Sequence, residues 1–247
     1  TSMNLNLQAY SGLMMATGVE GDPPTTVTAS WNDYLGALHG CVAVLNALAE
    51  RRTTGLGANL DLSQFESSVA SLGALLLASS VNKAVPARMG NRARDVAPQG
   101  CYRCAGGDEW CAISVRDDQQ WQALVSLLGD VPELRDERFS PLQGRLTYHD
   151  EIDRLIERWT MDQPNSAVEA CLKAAGIPAE RMRRTKDILD DPASGRFFQA
   201  IEDPPGHRPL MTKLPFTFSH SSEAEVSRSP EIGEHTTSVL QDWLGLT

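Results

Sequence analysis

Long hydrophobic runs are missing from this chain of 247 residues. No uninterrupted apolar run exceeds five residues, the length reached at 74–78, whereas a membrane-spanning helix needs about 20. The first seven residues, TSMNLNL, also lack the charged start and the apolar core of a signal peptide. We therefore expect a cytoplasmic protein with no membrane as its partner.

Cysteine is scarce, and the five cysteines are odd in number, which does not suit a disulfide framework. Cys101 and Cys104 have C-x-x-C spacing and Cys111 follows closely. A zinc site would need a further ligand, and no His lies near in the sequence. We predict no metal site and interpret these residues as buried or half-buried strand cysteines.

Positive charge is also in short supply. The chain has 22 Lys and Arg against 32 Asp and Glu, a net charge of −10. Nucleic acids and anionic membranes are bound through basic faces, so we expect neither as a partner. The basic cluster of Arg88, Arg92 and Arg94 does not exclude a local pocket for a phosphorylated ligand, but we interpret it first as a solvated face or loop.

Common catalytic motifs are absent: G-x-S-x-G, Walker A, G-x-G-x-x-G and H-E-x-x-H do not occur. The most informative stretch is SWNDYLGALHG at 30–40. From Leu35 onward, apolar residues recur at three- and four-residue spacing, which predicts one apolar helix face. Asp33 then lies in the first helical turn, where free N–H groups and the helix dipole favour a carboxylate.

Two interpretations of Asp33 compete at this point. In the first, Asp33 belongs to a capping box with Ser30 as the N-cap, although Glu or Gln is the usual partner there. In the second, Asp33 is a nucleophile that attacks an acyl carbon. This stretch by itself favours the cap.

The remaining patterns predict an alternation of helices with a few strands. We expect helices at 4–18, from Asp33 to about Arg52, from a capping box at 63–66 through Leu76, after Asp117, at 145–159, at 166–175 and at the end of the chain. Gly55 is expected to end the second of these helices. We expect strands at 58–62, 100–105, 110–115 and 214–218. Glu234 and His235 are interpreted as capping and surface residues.

Segments along nearly the whole chain resemble the class III CoA-transferase family, also called CaiB/BaiF, and they stand in family order. They are LQAYSGLM at 7–14, TG at 17–18, DYLGA at 33–37, LAERR at 48–52, TGLG at 54–57, LDLSQFE at 60–66, GNR at 90–92, PQGCY at 98–102, DERF at 136–139, GIPA at 176–179, DP at 191–192 and PEIGEHT at 230–236.

The resemblance implies that Asp33 is the catalytic nucleophile. It would attack a donor acyl-CoA to give an aspartyl anhydride, and CoA thiolate would then form an aspartyl-CoA thioester that passes CoA to a second carboxylic acid. The implied ligands are coenzyme A, as acyl-CoA, and a small carboxylic acid. Gln64, which opens the second long helix, is the candidate CoA contact.

The implied fold is α/β, with the C-terminal part of a Rossmann-like large domain plus a smaller α+β domain. We expect the catalytic-helix part of the large domain at 1–96, the small domain at 97–190, and a return segment with a C-terminal helix at 191–247. Members of this family are longer, and roughly their first third, with most CoA contacts, has no counterpart here. We therefore expect a homodimer or completion by another chain.

Two alternatives to a transferase stay open. The family also contains acyl-CoA racemases, which pair the Asp with a His, but the corresponding residue here is Met3. The other alternative is a non-catalytic fragment or structural subunit that keeps the fold. In that case Asp33 would only cap its helix.

Overall fold

The computed structural model describes residues 3–27, 30–83, 87–201, 208–220 and 227–246. These residues belong to two compact units, 1–181 and 182–247, and each unit is described by itself. The finer division at 1–96, 97–190 and 191–247 stays a prediction.

The first unit contains nine helices and three strands among its described residues. These are α1 (Asn4–Tyr10), α2 (Leu13–Ala16), α3 (Trp31–Thr54), α4 (Gln64–Ser71), α5 (Gly73–Asn82), β1 (Gln99–Arg103), β2 (Trp110–Ser114), α6 (Asp118–Leu127), α7 (Leu142–Thr147), α8 (His149–Thr160), α9 (Asn165–Ala174) and β3 (Ala179–Arg181), with short 3₁₀ helices at Pro132–Arg135 and Glu137–Phe139. The second unit has α10 (Thr185–Asp190), a 3₁₀ turn at Gly195–Phe197, β4 (Phe198–Ala200), β5 (Leu210–Thr212) and α11 (Thr236–Leu244).

The hydrophobic core of the first unit lies between a small antiparallel sheet and the helices that follow it. The strands are ordered β1-β2-β3, with Tyr102 opposite Cys111 and Ala112 opposite Glu180. Alternate strand residues point inward, as the two-residue period of a strand requires. Buried members of this core include Tyr102, Cys104, Cys111, Ile113, Val115, Trp121, Leu124, Leu128, Phe139, Ile152, Ile156, Val168 and Leu172.

The buried side chain of Arg145 ties α7 to the segment that leads into β1. Its Nε donates to the carbonyl oxygen of Ala97 at 2.9 Å, one Nη donates to that of Ser140 at 2.6 Å, and the other donates to Asp118 at 2.7 Å. Because Arg145 is only 1% exposed, these bonds satisfy a guanidinium that would otherwise be costly to bury.

His149, at the start of α8, is a buried titratable residue beside β1. Its Nε2 accepts the backbone N–H of Gln99 at 3.1 Å. Burial lowers the pKa of His149 below 6.5, although Asp153 opposes part of this effect. The neutral imidazole is therefore the form that the folded core accommodates.

We expect the free energy of unfolding to decrease as the pH falls below about 6.5, with His149 supplying at most about 1.4 kcal/mol per pH unit. The sign follows because a lowered pKa in the folded state means that the unfolded chain binds the proton more readily. Urea unfolding at pH 7.0 and pH 5.5 should show that the free energy of unfolding decreases more between these two values in the unaltered chain than in His149→Gln. Equal losses would contradict the prediction.

Several local predictions are confirmed. Helix α3 ends with Gly55 in the left-handed conformation, at φ 75°, and the predicted hairpin is present as β1 and β2. Asp117 caps α6 by accepting the N–H of Gln120 at 2.8 Å. The cysteines at 101, 104 and 111 lie on or next to these strands as free, half-buried or buried thiols, and burial raises the pKa of Cys111 to about 12.

Other predictions are wrong. The strands expected at 58–62 and 214–218 do not form, because neither segment has a hydrogen-bonded neighbour within the described residues and a strand needs one. The helix expected at 4–18 is divided at Gly12, which has φ 86°. The helix after Ser63 is interrupted at Leu72, and the one expected at 145–159 is divided at Tyr148.

Two features are absent from the described part of the chain. None of its helices is long and apolar enough to cross a membrane. None of its clusters of His, Cys, Asp and Glu side chains could hold a metal ion.

Candidate functional site

Asp33 is exposed in the first turn of α3. The backbone turn is regular, because the N–H groups of Asp33 and Tyr34 both donate to the carbonyl oxygen of Ser30, at 3.1 and 3.2 Å. The Ser30 side chain makes no capping hydrogen bond, so the capping box considered for this pair does not form. The Asp33 carboxylate points instead to a residue on another helix.

That residue is Gln64, the first residue of α4. Its Nε2 donates to Oδ1 of Asp33 at 3.0 Å, across 31 positions of sequence. The start of α4 is fixed by Ser63, whose Oγ accepts the N–H of Glu66 at 3.2 Å. The two site residues chosen from the sequence are therefore brought together, which sequence spacing did not predict.

Gly36 leaves the space that the Gln64 side chain occupies. A Cβ built on Gly36 would lie 3.1 Å from Cγ of Gln64 and 3.5 Å from its Nε2. A contact of 3.1 Å is tight, so any side chain at this position would push Gln64 aside. Gly36 therefore contributes to the site because it has no side chain.

Asn32 fixes the helix start from the inner side, and sequence reasoning missed it. The side chain is fully buried. Its Nδ2 donates to the carbonyl oxygen of Asn4 at 2.9 Å, and its Oδ1 accepts a short hydrogen bond from Ser68 of α4. The backbone N–H of Asn32 also donates to Oδ1 of Asn4 at 3.2 Å. One buried amide therefore connects α1, α3 and α4 directly beside Asp33.

Most of the apolar face of α3 is exposed in this unit. Leu38, Val42 and Leu45 are 65%, 68% and 66% exposed, and only Asn32 and Gly36 of this helix are buried. Exposed apolar patches mark surfaces that contact a protein, a membrane or a ligand.

A cavity of about 670 Å³ lies elsewhere in the first unit and includes the basic cluster. Within it, Arg92 forms ion pairs with Asp150 at 2.6 Å and Asp153 at 2.5 Å, and Arg92 lowers the pKa of Asp150. Arg88 donates from Nε to the carbonyl oxygen of Val19 at 3.1 Å. Four Arg and four acidic residues line the cavity, so it is balanced in charge, and neither Asp33 nor Gln64 lines it.

Glu234 and His235 are exposed, as predicted, but the predicted capping role is wrong: His235 is the N-cap residue of α11 and its side chain makes no capping hydrogen bond. Glu234 binds residues that precede the helix instead. It accepts hydrogen bonds from Arg228, at 2.7 and 2.9 Å, and from the N–H of Glu231 at 2.7 Å. Arg228 lowers the pKa of Glu234, as expected for a paired carboxylate.

The model of CoA-transferase family III matches residues 1–236. The chain belongs to this family. Over 223 residues it is 30% identical to a probable CoA-transferase of Mycobacterium tuberculosis, covering 89% of this chain and 28% of that protein. Over 242 residues it is 27% identical to the succinyl-CoA–D-citramalate CoA-transferase of Chloroflexus aurantiacus, covering 97% of this chain and 60% of that protein.

A solved structure shows the same fold. The crystal structure of a CaiB/BaiF family protein from Brucella suis superposes with a TM-score of 0.88 at 24% identity, covering 98% of this chain and 63% of that chain. The predicted α/β fold of a class III CoA-transferase is thereby confirmed. The chain spans between 28% and 63% of the length of these three relatives.

Proposed function

We propose that this chain carries the nucleophile of a CoA-transferase and that the nucleophile is Asp33. The observation that supports it most is the pairing of the exposed Asp33 carboxylate with the Gln64 amide, in a chain of CoA-transferase family III. The first turn of a helix favours negative charge through its free N–H groups and dipole. The hydrogen bond holds one carboxylate oxygen and leaves the other free to react.

The proposed reaction has two covalent intermediates. Oδ2 of Asp33 attacks the carbonyl carbon of a donor acyl-CoA, the C–S bond breaks, and CoA leaves as the thiolate, giving an aspartyl anhydride. The thiolate then attacks Cγ of Asp33 and expels the donor acid, giving an aspartyl-CoA thioester. An acceptor carboxylate takes the CoA by the same two steps in reverse. No metal or redox change is needed, and splitting the transfer in this way is ordinary nucleophilic catalysis.

Coenzyme A is thus the group transferred, and the second substrate is a small carboxylic acid. Relatives of this chain are named for citramalate, mesaconate, malate and oxalate as acids, and for succinyl-CoA and formyl-CoA as donors. We propose substrates of the same class here. The Gln64 amide has a second N–H, which is the proposed contact to CoA.

We also propose that the exposed apolar face of α3 is covered in the working protein, either by a second copy in a homodimer or by another chain. The support is the exposure of Leu38, Val42 and Leu45 beside the site. Sedimentation velocity across a range of concentrations reports whether the purified chain associates.

A direct assay tests the proposed activity. The purified chain is incubated with succinyl-CoA, acetyl-CoA or formyl-CoA and with each of the acids named above, and new acyl-CoA products are measured by mass spectrometry. We expect at least one donor and acid to exchange CoA. If none exchanges, at concentrations where sedimentation shows an associated species, the proposal would be replaced by a non-catalytic role.

A further inference from the structure

The Gln64 side chain lies next to the carboxylate of Asp33, closer to the reacting atoms than a contact to CoA requires. Its donor atom is 3.0 Å from Oδ1 of Asp33, one of the atoms that changes charge in the proposed reaction. We infer that Gln64 is a second catalytic residue, whose amide stabilises negative charge on Oδ1 each time Cγ of Asp33 is attacked. This inference rests on the proposed function and deepens it.

The charge on Oδ1 changes in opposite directions when Asp33 attacks the donor and when Cγ of Asp33 is itself attacked. When Oδ2 attacks the donor thioester, Asp33 gives up its negative charge, and the hydrogen bond at Oδ1 weakens. When CoA thiolate attacks Cγ of the anhydride, the electron pair of the Cγ–Oδ1 bond moves onto Oδ1, which becomes an oxyanion. The intermediate then collapses, Oδ2 leaves with the acyl group as the free acid, and Cγ–Oδ1 becomes the carbonyl of the thioester.

A hydrogen bond that strengthens only as charge develops is the kind that accelerates a reaction. The Gln64 amide therefore favours the steps at Cγ of Asp33 and gives no help to the attack on the substrate carbonyl. The same holds in the second half of the reaction, when the acceptor carboxylate attacks Cγ of the aspartyl-CoA thioester.

The local structure keeps this donor in place. The Ser63 cap fixes the first turn of α4. The single hydroxyl proton of Ser68 is shared between the carbonyl oxygen of Gln64, at 3.0 Å, and the side-chain oxygen of the buried Asn32. Gly36 provides the room for the side chain. The donor is thus positioned before any substrate binds, as an oxyanion-stabilising group should be.

Gln64→Leu removes the amide and keeps a side chain of similar size. We expect the rate of aspartyl-CoA formation to fall about 100-fold, the lower end of the effect of losing one oxyanion donor, because Gln64 is exposed. At saturating donor, where a lost CoA contact no longer limits the rate, the first release of CoA should not slow. Acid-quenched reactions analysed by intact mass should therefore show acyl-protein where the unaltered chain shows the CoA adduct.

Gly36→Ala and Gly40→Ala form a matched pair in α3. A Cβ on Gly36 lies 3.1 Å from Gln64, whereas one on Gly40 makes only an ordinary 3.5 Å contact with Leu62. We expect Gly36→Ala to show the same imbalance between acyl-protein and CoA adduct in a weaker form, and Gly40→Ala to behave like the unaltered chain.

The outcomes separate this inference from the proposal beneath it. Slow adduct formation with undiminished CoA release in Gln64→Leu supports the inference. A CoA adduct that forms equally fast in Gln64→Leu overturns the inference and leaves Asp33 as the nucleophile. No adduct in the unaltered chain overturns both. An equal slowing of CoA release and adduct formation also contradicts the inference, because that result would assign Gln64 to substrate binding alone.

Discussion

Replacing Asp33 with Asn is expected to lower the rate of CoA transfer by about 10³-fold or more, as for the loss of other catalytic nucleophiles. The amide has no negatively charged oxygen with which to attack a thioester. It keeps the shape of the carboxylate, and its carbonyl oxygen can still accept the hydrogen bond from Gln64. The loss would therefore report on the nucleophile and not on the packing of α3 against α4.

Asp61→Asn is the matched control for Asp33→Asn. Asp61 is exposed in the segment between α3 and α4, so the substitution removes the same charge from the same region. We expect transfer by this variant to match that of the unaltered chain, with both variants keeping their melting temperature. Undiminished transfer by Asp33→Asn would remove Asp33 from the mechanism.

The largest effect on stability is expected for Gly144→Ala. A Cβ on this residue would lie 1.7 Å from the carbonyl oxygen of Arg138, which is backbone and cannot rotate away. Either α7 or the preceding 3₁₀ turn must move, and Arg145, the next residue, is one of the buried anchors of the core. We expect the free energy of unfolding to fall by roughly 3 kcal/mol or more, at the upper end of overpacking effects.

Gly73→Ala gives the comparison for this change. Gly73 is the first residue of α5, and a Cβ there would meet nothing within 4 Å. Urea unfolding followed by circular dichroism should show unchanged or slightly raised stability, since Ala favours a helix by up to about 1 kcal/mol over Gly. Similar midpoints for Gly144→Ala and the unaltered chain would contradict the packing described for α7.

Features set by neighbouring residues could be predicted from the sequence. The placement of Asp33 in a first turn, the end of α3 at Gly55, the Ser63 and Asp117 caps and the β1–β2 hairpin all depend on contacts between residues a few positions apart. Local hydrogen bonds and backbone preferences are sufficient to determine such features.

Features that depend on distant contacts could not be predicted in the same way. The bond from Gln64 to Asp33 joins residues 31 positions apart, and the buried Asn32 bonds to Asn4 across 28 positions. Both depend on how α1, α3 and α4 pack. The strand expected at 58–62 failed for a related reason, because its apolar pattern gave no information on whether a partner strand would lie beside it.

The resemblance to a family supplied what local patterns could not. Periodicity alone favoured Asp33 as a cap, whereas the ordered family segments assigned it the role of nucleophile and selected Gln64 as the second site residue. The structure contains the contact between them but no capping bond from the Ser30 side chain. That geometry, and the family membership of the chain, now support the nucleophile.

The most direct test of the central proposal is to locate a covalent intermediate. The purified chain is mixed with an acyl-CoA donor, quenched in acid, measured by intact mass and then digested, beside Asp33→Asn treated in the same way. We predict a CoA or acyl adduct on the peptide that contains Asp33 and none on the variant. An adduct on another residue, or equal labelling of the variant, would contradict the assignment of Asp33 as the nucleophile.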